Sequence, residues 1–155
     1  MAIHEAGHQV VAVAVRVRSR GVSLSGDYGQ SRDGLNRHLY EPEEARYWEL
    51  LKKEIQILLA GEWAVRIFYD RAKEDSDAYG SENDWKVLGP LLRELSEDSD
   101  VPVFALQERH ESAVLNCLTD RWCFVERLAG ELLETENLSG EQVTALLQDM
   151  PSFSG

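Results

Sequence analysis

Cysteine is scarce in this chain, basic charge is in deficit and long apolar runs are missing, and each shortage removes a class of protein. The two cysteines, Cys117 and Cys123, fall in a stretch that reads as helical, at a spacing that keeps them off a shared face. Two thiols give neither a disulfide framework nor a Cys-rich metal signature, and they suit a reducing compartment such as the cytoplasm. The longest unbroken apolar run, VVAVAV, is far short of the about 20 residues a spanning helix needs. No transmembrane segment is therefore expected, and any membrane association has to come through a partner. The run follows a histidine- and glutamate-bearing segment and lacks a cleavage pattern, so it does not read as a signal peptide. With 16 Lys and Arg against 28 Asp and Glu, the net charge is −12. That balance argues against nucleic acid as a partner, because phosphate binding needs clustered basic residues. The one basic run, Arg16, Arg18 and Arg20, has strand-like spacing and reads as a solvated face.

The 155 residues are 43% hydrophobic and 28% charged, which fits one globular domain able to bury roughly 70% of its extended surface. Residues 3–15 read as a helix with small residues, Ala6 and Gly7, where another backbone could approach closely. Val15, Val17, Val22 and Leu24 then turn to strand preference, and GDYGQSRDGLN reads as loop. The strongest helix is EPEEARYWELLKKEIQILLAGEWAVRIFYDR, with Pro42 suited to its first turn and Glu43 and Glu44 at the positive end of its dipole. Leu51, Ile55, Leu58 and Leu59 form its buried stripe, continued by Trp63, Ile67 and Phe68. Gly61 costs this helix about 1 kcal/mol relative to alanine, which implies a packing reason. AKEDSDAYGSEN reads as a polar connection. Gly89-Pro90 should kink or break the helix that follows. Two or three further helices are expected through FALQERHESAVLNCL, TDRWCFVERLAGELLE and SGEQVTALLQDM, the last with Ser139 as N-cap and Gln142 at the capping-box position. The expected fold is mainly α-helical, with a small β element after the first helix.

The chemistry concentrates in HEAGH. On a helix, His4 and His8 project from one face a turn apart, and two neutral imidazoles so placed can grip one Zn²⁺. Glu5 stands beside them, where it can take a proton from water that the metal activates. An ordinary helix carrying two histidines is the bland alternative. His38, in a loop-like stretch, and His110, on the charged helix QERHES, read as surface histidines. Spacing leaves the third ligand open among 28 carboxylates. Almost no turn precedes His4, which points to an upstream segment or partner domain.

Four segments together resemble the peptidase domain of FtsH-type proteases, the membrane-bound ATP-dependent zinc metalloproteases. AIHEAGHQVVA is similar to that family's zinc helix, and IQILLAGEWAVRIFY to its glycine-bearing LLGGRAAE helix. GSENDWKVL is similar to its GASNDLxxA segment, and LAGELLETENLSGEQVTALL to its closing LLExETLxGEE stretch. The matches keep the family's order across nearly the whole chain. The resemblance implies a helical zinc-metallopeptidase domain over residues 1–155. Residues of about 1–69 would carry the zinc-motif helix, the strand region and the long helix, and about 80–155 the third-ligand helix and the C-terminal helices. The aspartate of SND falls on Asp84, which the resemblance makes the third zinc ligand beside His4 and His8, with Glu5 as base. Ser81-x-x-Asp84 is also compatible with a helix cap.

Two departures stand out. Val65 and Arg66 replace the family's paired glutamates, and such carboxylates commonly orient a ligating histidine. No GxxxxGK[ST] motif occurs, so the ATPase module is missing. The chain is therefore expected to cut only flexible or unfolded polypeptide, extended along the strand edge near RGVSLS. Otherwise it has to work with a separate unfoldase, related protease subunits or further copies of itself. The rivals are a catalytically silent homologue serving as a binding or assembly module, and a zinc-stabilised structural domain.

Overall fold

Helix α1 (Ala2–Ala14) is mostly alanine, valine and glycine, and almost every side chain on it is buried. A helix buried on nearly every side lies in the middle of a molecule, even though this one carries His4, Glu5, His8 and Gln9 among its apolar residues. The computed structural model, which describes residues 2–24, 37–72 and 82–153, places it there. α2 (Ala45–Ala72) packs along α1, α5 (Trp122–Thr135) and α4 (Val103–Asp120) close other sides, and α3 (Glu82–Ser99) packs on α2 and α4. The expectation of a mainly helical fold holds. The loop GDYGQSRDGLN, most of the polar connection AKEDSDAYGSEN, the Ser81 cap and the side chain of His38 lie outside the described residues.

After α1 the chain reverses at Arg16, whose φ of 66° is left-handed. It then returns along the helix. The Val17 N–H donates to the Ala12 carbonyl (2.8 Å), and Ser19 Oγ donates to Gln9 Oε1 (2.6 Å). The strand is shorter than expected: only Gly21–Ser23 forms β1, paired antiparallel with β2 (Asn137–Ser139). The partner sets that length, because the Ser139–Gln142 capping box turns the chain straight into α6 (Gly140–Leu146). Val15 and Val17 are nonetheless buried while Arg16, Arg18 and Arg20 are exposed, as their alternation implied.

Several expectations need correction. α2 begins at Ala45 rather than at Pro42, because the Pro42 carbonyl is taken by Trp48 Nε1 (2.7 Å) in a turn ahead of the helix. Leu51, Ile55, Leu58 and Leu59 are buried, but Phe68 is 39% exposed. With 28 residues, α2 outruns the 13 of α1, and its last turns have less to pack against. α3 passes through Gly89-Pro90 unbroken. Leu88, Leu91, Leu92 and Leu95 are buried on both sides of the proline, while Pro90 and Lys86 face solvent, where water can satisfy the carbonyl the proline leaves free. Cys117 and Cys123 sit on different helices, α4 and α5, the first buried and the second exposed. His110 is buried against α2, where Gln56 Nε2 donates to its Nδ1 (3.2 Å). Charged neighbours in the sequence disguised a position on the inner face of α4.

Two glycines behave oppositely. A Cβ on Gly7 would stand 2.5 Å from Ala64 Cβ and 2.7 Å from the Ala60 carbonyl oxygen, so α1 and α2 touch there through backbone. A Cβ on Gly130 would meet nothing within 4 Å. Gly7→Ala should therefore destabilise the fold by about 1–3 kcal/mol through overpacking, despite alanine's better helix propensity. Gly130→Ala should stabilise it by about 0.5–1 kcal/mol. Urea unfolding of the two variants checks the opposite signs.

Burial, with Lys52 and Arg109 nearby, pushes the His110 pKa down to about 4 from 6.5. The ring is then neutral in the fold and protonated in the unfolded chain between those values. Stability is full above about pH 6.5 and falls as pH drops toward 4, by up to about 3 kcal/mol from this group. In metal-free protein, His110→Gln should remove that part of the acid sensitivity, read as a flatter dependence of the urea midpoint on pH.

Candidate metal centre

α1 carries His4 and His8 one turn apart, with their rings edge to face at 4.7 Å between centroids. Both point at α2 where it lacks a side chain. A Cβ on Gly61 would lie 2.6 Å from His4 Cε1, His4 Nε2 and His8 Nε2. This is the packing reason for a glycine in the middle of a long helix. α3 brings Asp84, in its first turn, to the same point.

The three polar atoms form a small triangle. His4 Nε2 and His8 Nε2 are 3.0 Å apart, and Asp84 Oδ2 lies 3.0 Å from the first and 3.2 Å from the second. A tetrahedral ion about 2.0–2.1 Å from each ligand sets them about 3.3 Å apart, so the observed spacing is within a few tenths of an ångström of that arrangement. The tautomer of His8 sharpens the point. Its Nδ1 lies 2.6 Å from the Ile57 carbonyl oxygen, which can only accept, so Nδ1 carries the proton. In a neutral ring the lone pair is then on Nε2, facing both His4 and Asp84. Such convergence calls for a cation, either a proton or a metal ion.

The ionisation of the group responds to the same need. Burial opposes charge on His8, but the hydrogen bond and charge of Asp84, with Glu5 and the Ile57 carbonyl, outweigh it and raise the pKa. Burial likewise opposes the Asp84 carboxylate, and its hydrogen bonds from His4 and His8 hold it well below the usual range. Glu5 is shifted upward, chiefly by burial and partly offset by the two histidines. Glu5 Oε1 is buried and makes no hydrogen bond among the described residues. A buried carboxylate oxygen without a partner is costly unless a water or ligand meets it.

The structure thus brings His4, His8 and Asp84 to one point, with Glu5 near enough to interact with all three, and Asp84 stands in this group rather than only at a helix start. His110 belongs to another cavity. Sequence reading missed the Ile57 carbonyl, a backbone group that no side-chain motif announces. It does what a histidine-orienting carboxylate would do. At the replaced positions, Val65 is buried and Arg66 pairs with Glu62 (3.2 Å) while lying over the Trp63 ring. No family model matches this chain, and no curated protein compared with it is similar.

Gly61→Ala should weaken metal binding by about 10-fold or more, the size of loss seen when a ligand's orientation is disturbed, because a ring must shift to admit the methyl group. Asp84→Asn should also lose metal affinity, by at least as much, yet leave the helix start intact, since asparagine is well tolerated at that end. Competition with a chromogenic chelator measures the affinities, and circular dichroism checks the helices.

Proposed function

We propose that the chain is a zinc-dependent metallopeptidase domain resembling the FtsH type, hydrolysing peptide bonds in unfolded polypeptide. The observation that carries this reading is the unpartnered Oε1 of Glu5 beside the His4–His8–Asp84 triangle. A purely structural metal needs the three ligands but no buried carboxylate next to them. Two histidines and one carboxylate are an ordinary zinc donor set that keeps a fourth position open.

His4, His8 and Asp84 would hold the ion, with Ile57 fixing the His8 ring. Zinc, when bound, supplies Lewis acidity that polarises a carbonyl and brings the pKa of water toward about 7. Glu5 accepts the proton of the attacking water at its free oxygen and passes it to the departing amine. Burial keeps this carboxylate from dissipating its basicity in bulk hydrogen bonds. The substrate that this site would take is an already extended polypeptide, or one delivered by an unfoldase.

One observation favours a catalytically silent reading, either an assembly module or a domain stabilised by its metal. His4, Glu5, His8 and Asp84 are only 1%, 4%, 5% and 6% exposed, which suits a closed structural centre. Zinc content and turnover separate the readings. Zinc-loaded protein should slowly cleave a casein-like unfolded chain and spare compact proteins. Glu5→Gln should retain zinc and lose cleavage by orders of magnitude, because an amide cannot accept the proton. Full zinc occupancy without cleavage of unfolded substrate supports the silent reading, and equal cleavage by both proteins reveals a contaminant.

A further inference from the structure

A cavity of about 270 Å³ opens between α2, α3 and α4, away from the metal centre. Its walls divide by chemistry. Trp48, Leu95 and Leu106 form an apolar side, and Lys52, Arg109 and His110 supply cationic and donor groups. Among the described residues neither Lys52 nor Arg109 pairs with a carboxylate, although acids outnumber bases by 28 to 16. His110 is 6% exposed, and Gln56 Nε2 donates to its Nδ1, which leaves the ring proton on Nε2 as the donor for a ligand.

We infer that this cavity binds a small organic monocarboxylate, its head between Lys52, Arg109 and His110 and its apolar body against Trp48, Leu95 and Leu106. Few convergent polar groups on an otherwise apolar wall are the usual composition of a small-molecule site. Two cations with no carboxylate partner among the described residues, beside a buried N–H donor, select an anion. The apolar side selects an organic one. Asp98, exposed at the same cavity and paired with neither cation, disfavours a second negative charge on the ligand. The site is independent of the metallopeptidase reading, although it shares α2 with the metal centre: Gln56 holds His110, and the next residue, Ile57, holds His8.

Benzoate and inorganic phosphate are the probes, titrated into the protein by calorimetry while the His110 ring resonances are followed by NMR. Benzoate should bind saturably, shift those resonances and bind more tightly than phosphate. Lys52→Gln and Arg109→Gln, both at exposed positions and so expected to fold, should each weaken benzoate by about 10-fold, the loss of one charge-assisted contact. His4→Ala, which disables the metal centre, should leave benzoate binding unchanged. Absence of saturable benzoate binding would overturn the assignment, as would phosphate binding equally well. Benzoate binding lost in His4→Ala but kept in Arg109→Gln would move the carboxylate to the metal centre and overturn it too.

Discussion

Everything at the candidate centre depends on how closely α1 and α2 approach. Gly7 lets the backbone of α1 reach Ala60 and Ala64, and Gly61 lets two imidazoles from α1 lie against the backbone of α2. The two glycines are complementary. Each removes a Cβ from one helix where the other presents atoms that cannot yield. Only at this spacing does His8 Nδ1 reach the Ile57 carbonyl at 2.6 Å, and that bond decides which nitrogen faces the centre. Helix packing thus sets a tautomer, and the tautomer sets the chemistry.

α3 completes what α1 and α2 begin. Its buried leucines hold it on α2 and α4 through Gly89-Pro90, so Asp84 is placed by a rigid element rather than by a loop. Three buried polar atoms 3.0–3.2 Å apart, one of them the oxygen of a carboxylate, form a small anionic trap. Glu5 adds a second carboxylate to the same apolar surroundings. Two buried carboxylates next to two imidazoles are unfavourable without a cation, and a proton or a metal ion can supply it.

Much of this was legible because helices announce themselves by period and motif. The i, i+4 histidines, the apolar stripe of α2 and the Ser139 capping box are local patterns, and each holds in the fold. The features that escaped are non-local. β2 forms because β1 needs a partner, and nothing in Asn137–Ser139 alone signals a strand. His110 sits among charged residues yet faces inward, because α4 packs on α2 along that line. Asp84 could not be singled out by spacing, since its partners are 76 and 80 residues away; a resemblance between four ordered segments nominated it, and the geometry brings it to the two histidines. Gly61 was flagged by its cost to the helix, but its cause needed three dimensions.

X-ray absorption at the zinc edge, on protein reconstituted with zinc at neutral pH and with the metal counted per chain, probes the centre itself. One zinc per chain is expected, bound by two imidazole nitrogens and carboxylate or water oxygens, and without sulfur. Protein that stays metal-free after reconstitution, or a zinc spectrum showing thiolate or a single imidazole, would contradict a His4–His8–Asp84 metal site.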